Sequence, residues 1–173
     1  MSSEVNFRYA ERKDVSLILH FIRELADYEK MLDEVVSDEK TLEEWIFDKQ
    51  KAEVIFALED NKEVGFALFF HNFSTFLGRA GIYLEDLYVQ PECRGKGYGK
   101  ALFKKLASIA VERGCGRLEW WCLDWNKPRI CTKRTMMIPF LLPILILVEG
   151  GILLLLAVNL HRKAVQVSEK ELQ

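Results

Sequence analysis

The sequence predicts an α/β (α+β) domain, a mixed, mostly antiparallel sheet with helices on both faces. Three observations lead to this class. Short apolar runs, rich in β-branched and aromatic residues and bounded by turn residues, recur from Val5 to Asp124. Other stretches carry apolar residues at spacings of three and four, the period of a helix with one buried face. The alternating run Ile82–Val89 is followed by Arg94-Gly95-Lys96-Gly97-Tyr98-Gly99 and then by an amphipathic stretch, Lys100–Arg113. The order there is strand, glycine-rich turn, helix.

The elements follow in order. Val5–Tyr9 reads as a first strand. Asp14 is placed to cap a helix whose apolar face is Val15, Ile18, Leu19, Ile22 and Leu25. Ser37 or Asp38 caps a second helix through Leu42, Trp45 and Ile46. Glu53–Glu59 is a strand, Asp60-Asn61-Lys62 a turn, and Glu63–His71 the hairpin partner. Asn72–Gly78 is expected as a loop and Ala80–Val89 as the strand feeding the glycine turn. Ala101, Leu102, Leu106, Ile109 and Ala110 form the buried face of the next helix, which Gly114 ends. Arg117–Asp124 is a fifth strand. Trp120, Trp121 and Trp125 are expected to pack rather than to stack on a ligand.

The glycine turn is the most informative local feature. Glycines at 95, 97 and 99 let the backbone approach a ligand closely and leave N–H groups at the helix start without intrahelical partners. Such an end attracts anions, and a pyrophosphate suits it. A dinucleotide fold wants G-x-G-x-x-G on a first strand, and a Walker A loop wants Ser or Thr after Gly-Lys. Here the spacing is G-x-G-x-G, and Gly99-Lys100 is followed by Ala101. A plain turn has no reason to flank its glycines with Arg94 and Lys96. The backbone N–H groups of Gly95, Gly97 and Gly99, with those two cations, are therefore read as a phosphate site.

Composition bounds the rest. Half of the residues are hydrophobic, enough for a sizeable core. Lys plus Arg total 24 and Asp plus Glu 26, a balance that argues against a general nucleic-acid binder. Cys93, Cys115, Cys122 and Cys131 form no C-x-x-C pair, and His20, His71 and His161 are scattered, so no metal site is proposed. The polar start, Met1–Arg8, does not resemble a signal peptide, and a cytoplasmic domain with reduced thiols is expected.

The string Tyr83-Leu84-Glu85-Asp86-Leu87-Tyr88-Val89-Gln90-Pro91-Glu92-Cys93-Arg94-Gly95-Lys96-Gly97-Tyr98-Gly99 resembles the acetyl-CoA site of the GCN5-related N-acetyltransferases. Within that superfamily it is similar to the diamine acetyltransferase group, the spermidine/spermine and thialysine N-acetyltransferases. Ile22–Lys30 and Leu123-Asp124-Trp125-Asn126 add to the resemblance, which covers residues 5–128. The loop Asn72–Gly78, with Ser74-Thr75, looks more like the thialysine members.

The resemblance implies acetyl-CoA as co-substrate, a small amine as acceptor and a homodimer. It assigns the cofactor to Leu87, Tyr88, Val89, Arg94, Gly95, Lys96, Gly97, Tyr98, Gly99 and Asn126. Leu87 and Val89 flank the pantetheine arm, and the Val89 N–H polarises the thioester oxygen, freed from its ladder by a bulge near Tyr88. Glu85 takes the proton of the amine, and Glu29 meets the far end of a cationic substrate. Glu85 and Asp86, as strand neighbours, are expected on opposite faces, with Asp86 also at the substrate.

Beyond residue 128 the resemblance stops, which divides the chain into an incomplete acetyltransferase domain, 1–128, and a divergent tail, 129–173. The family carries a general-acid Tyr after Trp-Asn-x-Pro. Here Ile130-Cys131-Thr132-Lys133-Arg134 stands in its place, and no Tyr follows Tyr98. The last family strands have no counterpart, and strand five is expected to leave an open edge. The apolar segment 136–160 is long enough for a membrane helix, with Glu149 as its main cost. It also suits a buried hairpin of Ile144–Val148 and Ile152–Val158 around Glu149-Gly150-Gly151, or an aggregating product. Two functions stand side by side: an amine N-acetyltransferase, and a catalytically impaired, membrane-tethered variant that binds CoA or pairs with a full-length subunit.

Overall fold

The computed structural model describes residues 5–120 and the backbone of 135–137. β1 (Asn6–Tyr9) leads through a 3-10 turn into α1 (Val15–Tyr28). α2 (Glu39–Glu43) follows and runs on as a π-helical turn, Glu44–Asp48. β2 (Glu53–Glu59), β3 (Lys62–Ser74) and β4 (Arg79–Val89) are consecutive. α3 (Tyr98–Glu112) crosses to β5 (Arg117–Trp120), and β6 (Thr135–Met137) closes the sheet. The strand order is β1-β2-β3-β4-β5-β6, antiparallel at every junction except β4–β5, which is parallel.

Helices cover both faces, as expected. On one, Ile18 and Phe21 of α1 and Ile46 meet Val54, Phe56, Phe66 and Tyr88. On the other, Leu102, Phe103, Leu106 and Ile109 of α3 meet Ile55, Ala67, Phe69, Ile82, Leu84 and Leu118. Phe21 stacks on Phe66 with ring centroids 5.3 Å apart, and Trp120 meets Phe103 edge-on at 4.8 Å. Each such fully buried aromatic contributes about 1.5–3 kcal/mol of transfer free energy. Trp120 is thus packing, as read from the sequence; Trp121 and Trp125 lie outside the described residues.

Several local expectations change. Asp14 is the N-cap of α1, but its side chain does not cap it. Its Oδ2 accepts the Glu11 N–H at 2.8 Å, and the Arg8 guanidinium clamps both carboxylate oxygens at 2.6 and 3.0 Å. A nearby cation outcompetes the helix N–H groups. Asp38 does cap α2, accepting the Thr41 N–H at 2.8 Å. The β2–β3 turn is tighter than expected: Asp60 and Asn61, with φ of 51° and 62°, suffice, and Lys62 is already strand. β3 extends through Ser74, because Asn72 and Phe73 pair with Gly81 and Ala80.

β5 is not an edge. Thr135, Met136 and Met137 pair antiparallel with Glu119, Leu118 and Arg117, so the sheet recruits residues from beyond the expected boundary at 128. Met136 and Met137, read from composition as the start of the apolar segment, are strand. Among the described residues no helix is long and apolar enough to cross a membrane. The rest of 136–160 lies outside them, as do the Ile144–Val148 and Ile152–Val158 hairpin and the Ile130–Arg134 stretch.

Candidate active site

The site forms where β4 ends and α3 begins. Leu68 pairs with Asp86 and Phe69 with Leu84, which leaves Glu85 as an extra residue on β4. The bulge therefore sits at Glu85, not near Tyr88. It shifts the side-chain alternation by one: Leu84 and Leu87, three apart, both face the α3 core. The regular alternation behind the expectation that Glu85 and Asp86 point to opposite faces is interrupted here. Asp86, opposite Leu68, falls on the α1 side with Tyr88, and Glu85 is the supernumerary, exposed residue.

Beyond the bulge the ladder is regular. Gly65 stands opposite Val89, and the Gln90 N–H bonds the Val64 carbonyl at 2.9 Å. In an antiparallel ladder that makes Gly65–Val89 a non-hydrogen-bonded pair, as is Ala67–Leu87. The backbone N–H groups of Leu87 and Val89 consequently point away from β3. No bulge is needed to free them. Gly65 permits this register, since a Cβ there would lie 2.7 Å from the Tyr88 carbonyl oxygen.

The chain then turns through Pro91–Cys93 into the glycines. Gly95 and Gly97 have φ of 78° and 94°, a left-handed conformation that L side chains rarely adopt. Gly97 is the N-cap of α3, and no side chain caps that helix. The first intrahelical bond runs from the Ala101 N–H to the Gly97 carbonyl at 2.9 Å, so the Tyr98, Gly99 and Lys100 N–H groups open outward. Gly99 packs its first turn against Leu87 and Val89, where a Cβ would meet them at 3.7 and 3.9 Å. A cleft of about 320 Å³ lies here, lined by Val89, Cys93, Arg94, Gly95, Gly97, Tyr98, Gly99 and Lys100.

The structure brings most of the predicted cofactor residues together. Tyr88 is the exception. Its ring is buried in the α1 core, and its backbone pairs with Phe66, away from the cleft. Asn126 lies outside the described residues. The two expected counter-charges are both engaged within the protein. Lys96 Nζ donates to the Glu59 carboxylate at 2.9 and 3.0 Å. Arg94 Nε donates to the Val89 carbonyl at 2.9 Å, with its guanidinium over the rings of Tyr28 and Tyr88 at 4.5 and 5.2 Å.

Glu59 was missed by sequence reasoning. It sits at the end of β2 and receives Lys96, the Cys93 thiol at 3.6 Å and the Tyr98 hydroxyl. These donors, Lys96 first, hold its carboxyl below the usual range. Only the hairpin geometry places it beside a turn almost forty residues downstream.

On the acceptor side, burial pushes the Asp86 carboxyl up to about 6, with Glu85 and Glu29 adding repulsion. Burial also raises Glu29, the residue after the last turn of α1. Glu85 and Asp86, neighbours on β4, and Glu29, distant in sequence, thus form one acidic group. Asp86 is its half-buried member and Glu85 its exposed one.

The uncapped start of α3, opening over a cleft at the end of β4, has the donors to hold an anionic ligand. Residues 19–130 match the model of the acetyltransferase (GNAT) family, and the chain belongs to that family. It is similar to the thialysine N-epsilon-acetyltransferase of Bos taurus, 41% identical over 132 residues, covering 71% of this chain and 77% of the relative. It is similar too to the enzyme of that name from Caenorhabditis elegans, 38% identical over 119 residues, 69% of this chain and 73% of the relative. Among solved structures, an integron cassette protein from the mobile metagenome of V. cholerae superposes with a TM-score of 0.58 at 28% identity, over 71% and 78% of the two chains.

Proposed function

We propose that the protein is an N-acetyltransferase that moves acetyl from acetyl-CoA to a primary amine of a small thialysine-like or diamine substrate. One observation carries this reading: the uncapped start of α3, with left-handed Gly95 and Gly97, stands beside a strand end whose Leu87 and Val89 N–H groups point away from β3. The donors at the helix start suit a pyrophosphate. The free edge of β4 suits the amides of a pantetheine arm, which add to it as a further strand would. The Val89 N–H is then the donor that stabilises the oxyanion of the tetrahedral intermediate.

An alkylammonium, with a pKa of about 10, must lose a proton before it attacks. Glu85 is proposed as the acceptor of that proton. Asp86, raised to about 6, serves as its reservoir, and Glu29 holds the far cationic end. After collapse of the intermediate the CoA thiolate needs a proton. No Tyr follows Tyr98, and the Tyr98 hydroxyl is tied to Glu59 at the other end of the cleft. The thiolate therefore leaves unprotonated or takes its proton from water, and turnover is slow.

Thialysine is favoured over spermidine because relatives of that name are 41% and 38% identical, against 30% for a spermidine/spermine N(1)-acetyltransferase-like protein of Homo sapiens, and because of Ser74-Thr75 in the β3–β4 connection. Incubation of the full chain with acetyl-CoA and each amine, read by mass spectrometry, tests this. Acetyl-thialysine is expected to form fastest. CoA binding without transfer to any amine would sink the proposal and leave a CoA-binding, non-transferring protein. Homodimerisation and Asn126 as a CoA contact belong to the same reading. Membrane attachment through 136–160 rests on composition alone, and carbonate extraction of membranes from expressing cells decides it.

A further inference from the structure

We infer that the side chain of Arg94 is a positioning strut between the acceptor and acetyl-CoA halves of the site, rather than a counter-charge for phosphate. The inference rests on the reading of the site as an acetyltransferase centre. Three contacts converge on this one side chain. Its Nε donates to the Val89 carbonyl at 2.9 Å. That carbonyl belongs to the residue whose N–H is placed to polarise the acetyl group. The guanidinium also lies over Tyr88, 5.2 Å from the ring centroid, in the core beneath α1. It lies over Tyr28 as well, at 4.5 Å, and Tyr28 is the last residue of α1, directly before Glu29.

The chemistry fits a brace better than an anion site. A planar guanidinium within cation–π range of two aromatic rings, with its Nε committed to a carbonyl, is held at three points. Turning it toward a phosphate would abandon all three contacts. α1 packs on the sheet through Ile18 and Phe21, with Ile22 and Leu25 partly buried against the same core, and beyond Leu25 no residue of the helix joins that core. The chain then reverses through Lys30, at φ 61°, so Glu29 depends on how that end is held. Arg94 supplies the hold. It fixes the distance between Glu29, which meets the amine, and the Val89 peptide, which meets the acetyl group. Lys96, whose half-exposed side chain can swing from Glu59, and the backbone donors are left to serve the phosphates.

The test compares Arg94→Gln, Arg94→Lys, Tyr28→Leu and Tyr28→Phe in the full chain, with Lys96→Gln as the charge control. Acetyl-CoA affinity is measured by calorimetry, and kcat and the amine KM by steady-state kinetics. Arg94→Gln, Arg94→Lys and Tyr28→Leu are expected to lower kcat/KM for the amine by roughly three- to thirtyfold, the span of one or two cation–π contacts. Acetyl-CoA affinity should stay near wild type. Tyr28→Phe, which keeps the ring, should lose less than Tyr28→Leu, and Arg94→Gln with Tyr28→Leu should cost no more than either alone. Lys96→Gln should show the opposite split. The strut is overturned if Arg94→Gln weakens acetyl-CoA binding as Lys96→Gln does while Arg94→Lys restores it, or if the Arg94 and Tyr28 effects simply add. If the native chain acetylates no amine, the proposed function fails on its own. The strut is then read from amine binding to the CoA-loaded chain, where the same variants must lose affinity together.

Discussion

Asp86 carries the clearest pH signature of any single residue in the site. Its proton is held more tightly in the folded chain than in the unfolded one, because burial and two neighbouring carboxylates oppose ionisation. Its contribution to stability is therefore complete below the ordinary carboxylate pKa of about 4 and is lost as pH rises through about 6. Asp86→Asn removes that titration. Thermal unfolding should show variant and wild type alike near pH 4 and the variant more stable above pH 7, by up to about 3 kcal/mol. Equal Tm values at both pH values would mean that Asp86 is not desolvated. At the phosphate turn, Gly97→Asp puts a side chain on a left-handed residue, costing about 1–2 kcal/mol, and an anion at the helix start. Loss of CoA binding by calorimetry, with unfolding still cooperative, is expected; unchanged affinity would remove the turn from the site. The glycine turn was legible in the sequence because spacing and residue type announce it, whereas Glu85 and Glu29 were picked out only through the family resemblance. Glu59, Tyr28 and the orientation of Arg94 were not, since each depends on which side chain a fold brings alongside.

At the scale of elements, periodicity placed β2, β4, α1 and α3 within a few residues, because each buries one face against a core. It failed where tertiary pairing extends an element past its pattern. β3 runs into a polar stretch because Asn72, Phe73 and Ser74 find partners on β4. The bulge was misplaced by three residues for a related reason: in sequence, Glu85-Asp86 looks like ordinary alternation, and only the partner strand shows that one residue is supernumerary. Gly65 sets the other end of that pairing. In Gly65→Ala the added Cβ would lie 2.7 Å from the Tyr88 carbonyl oxygen, with backbone rather than a flexible side chain in the way. β3 and β4 must separate there, moving the Val89 peptide that the cleft depends on. A lowered Tm together with a kcat/KM loss for acetyl-CoA of at least tenfold is expected, about the effect of misplacing one oxyanion donor. A stable variant with wild-type kinetics would show that the register at Val89 does not matter.

For the whole molecule, the proposed reaction wants a proton donor for the departing thiolate, and no Tyr follows Tyr98 in the sequence. General acid catalysis contributes about 10²–10⁴-fold, so a variant with Tyr at position 132 should turn over thialysine faster by a substantial part of that range. A native chain as fast as that variant would require another proton donor. The parallel junction between β4 and β5 has a further consequence, for the order in which the protein assembles. β2 to β4 join through consecutive antiparallel strands, whereas β5 reaches β4 only after α3 has crossed the sheet, and β6 must then close on β5. Non-local pairing carries a loop-closure cost before it is rewarded, so this half should form last and open first. Native-state hydrogen exchange is expected to find Leu118–Trp120 opening at a lower free energy than the β2–β3–β4 amides. A ligand lying along the free edge of β4 would slow that opening, so acetyl-CoA would act on this chain as a late-arriving strand that completes its folding.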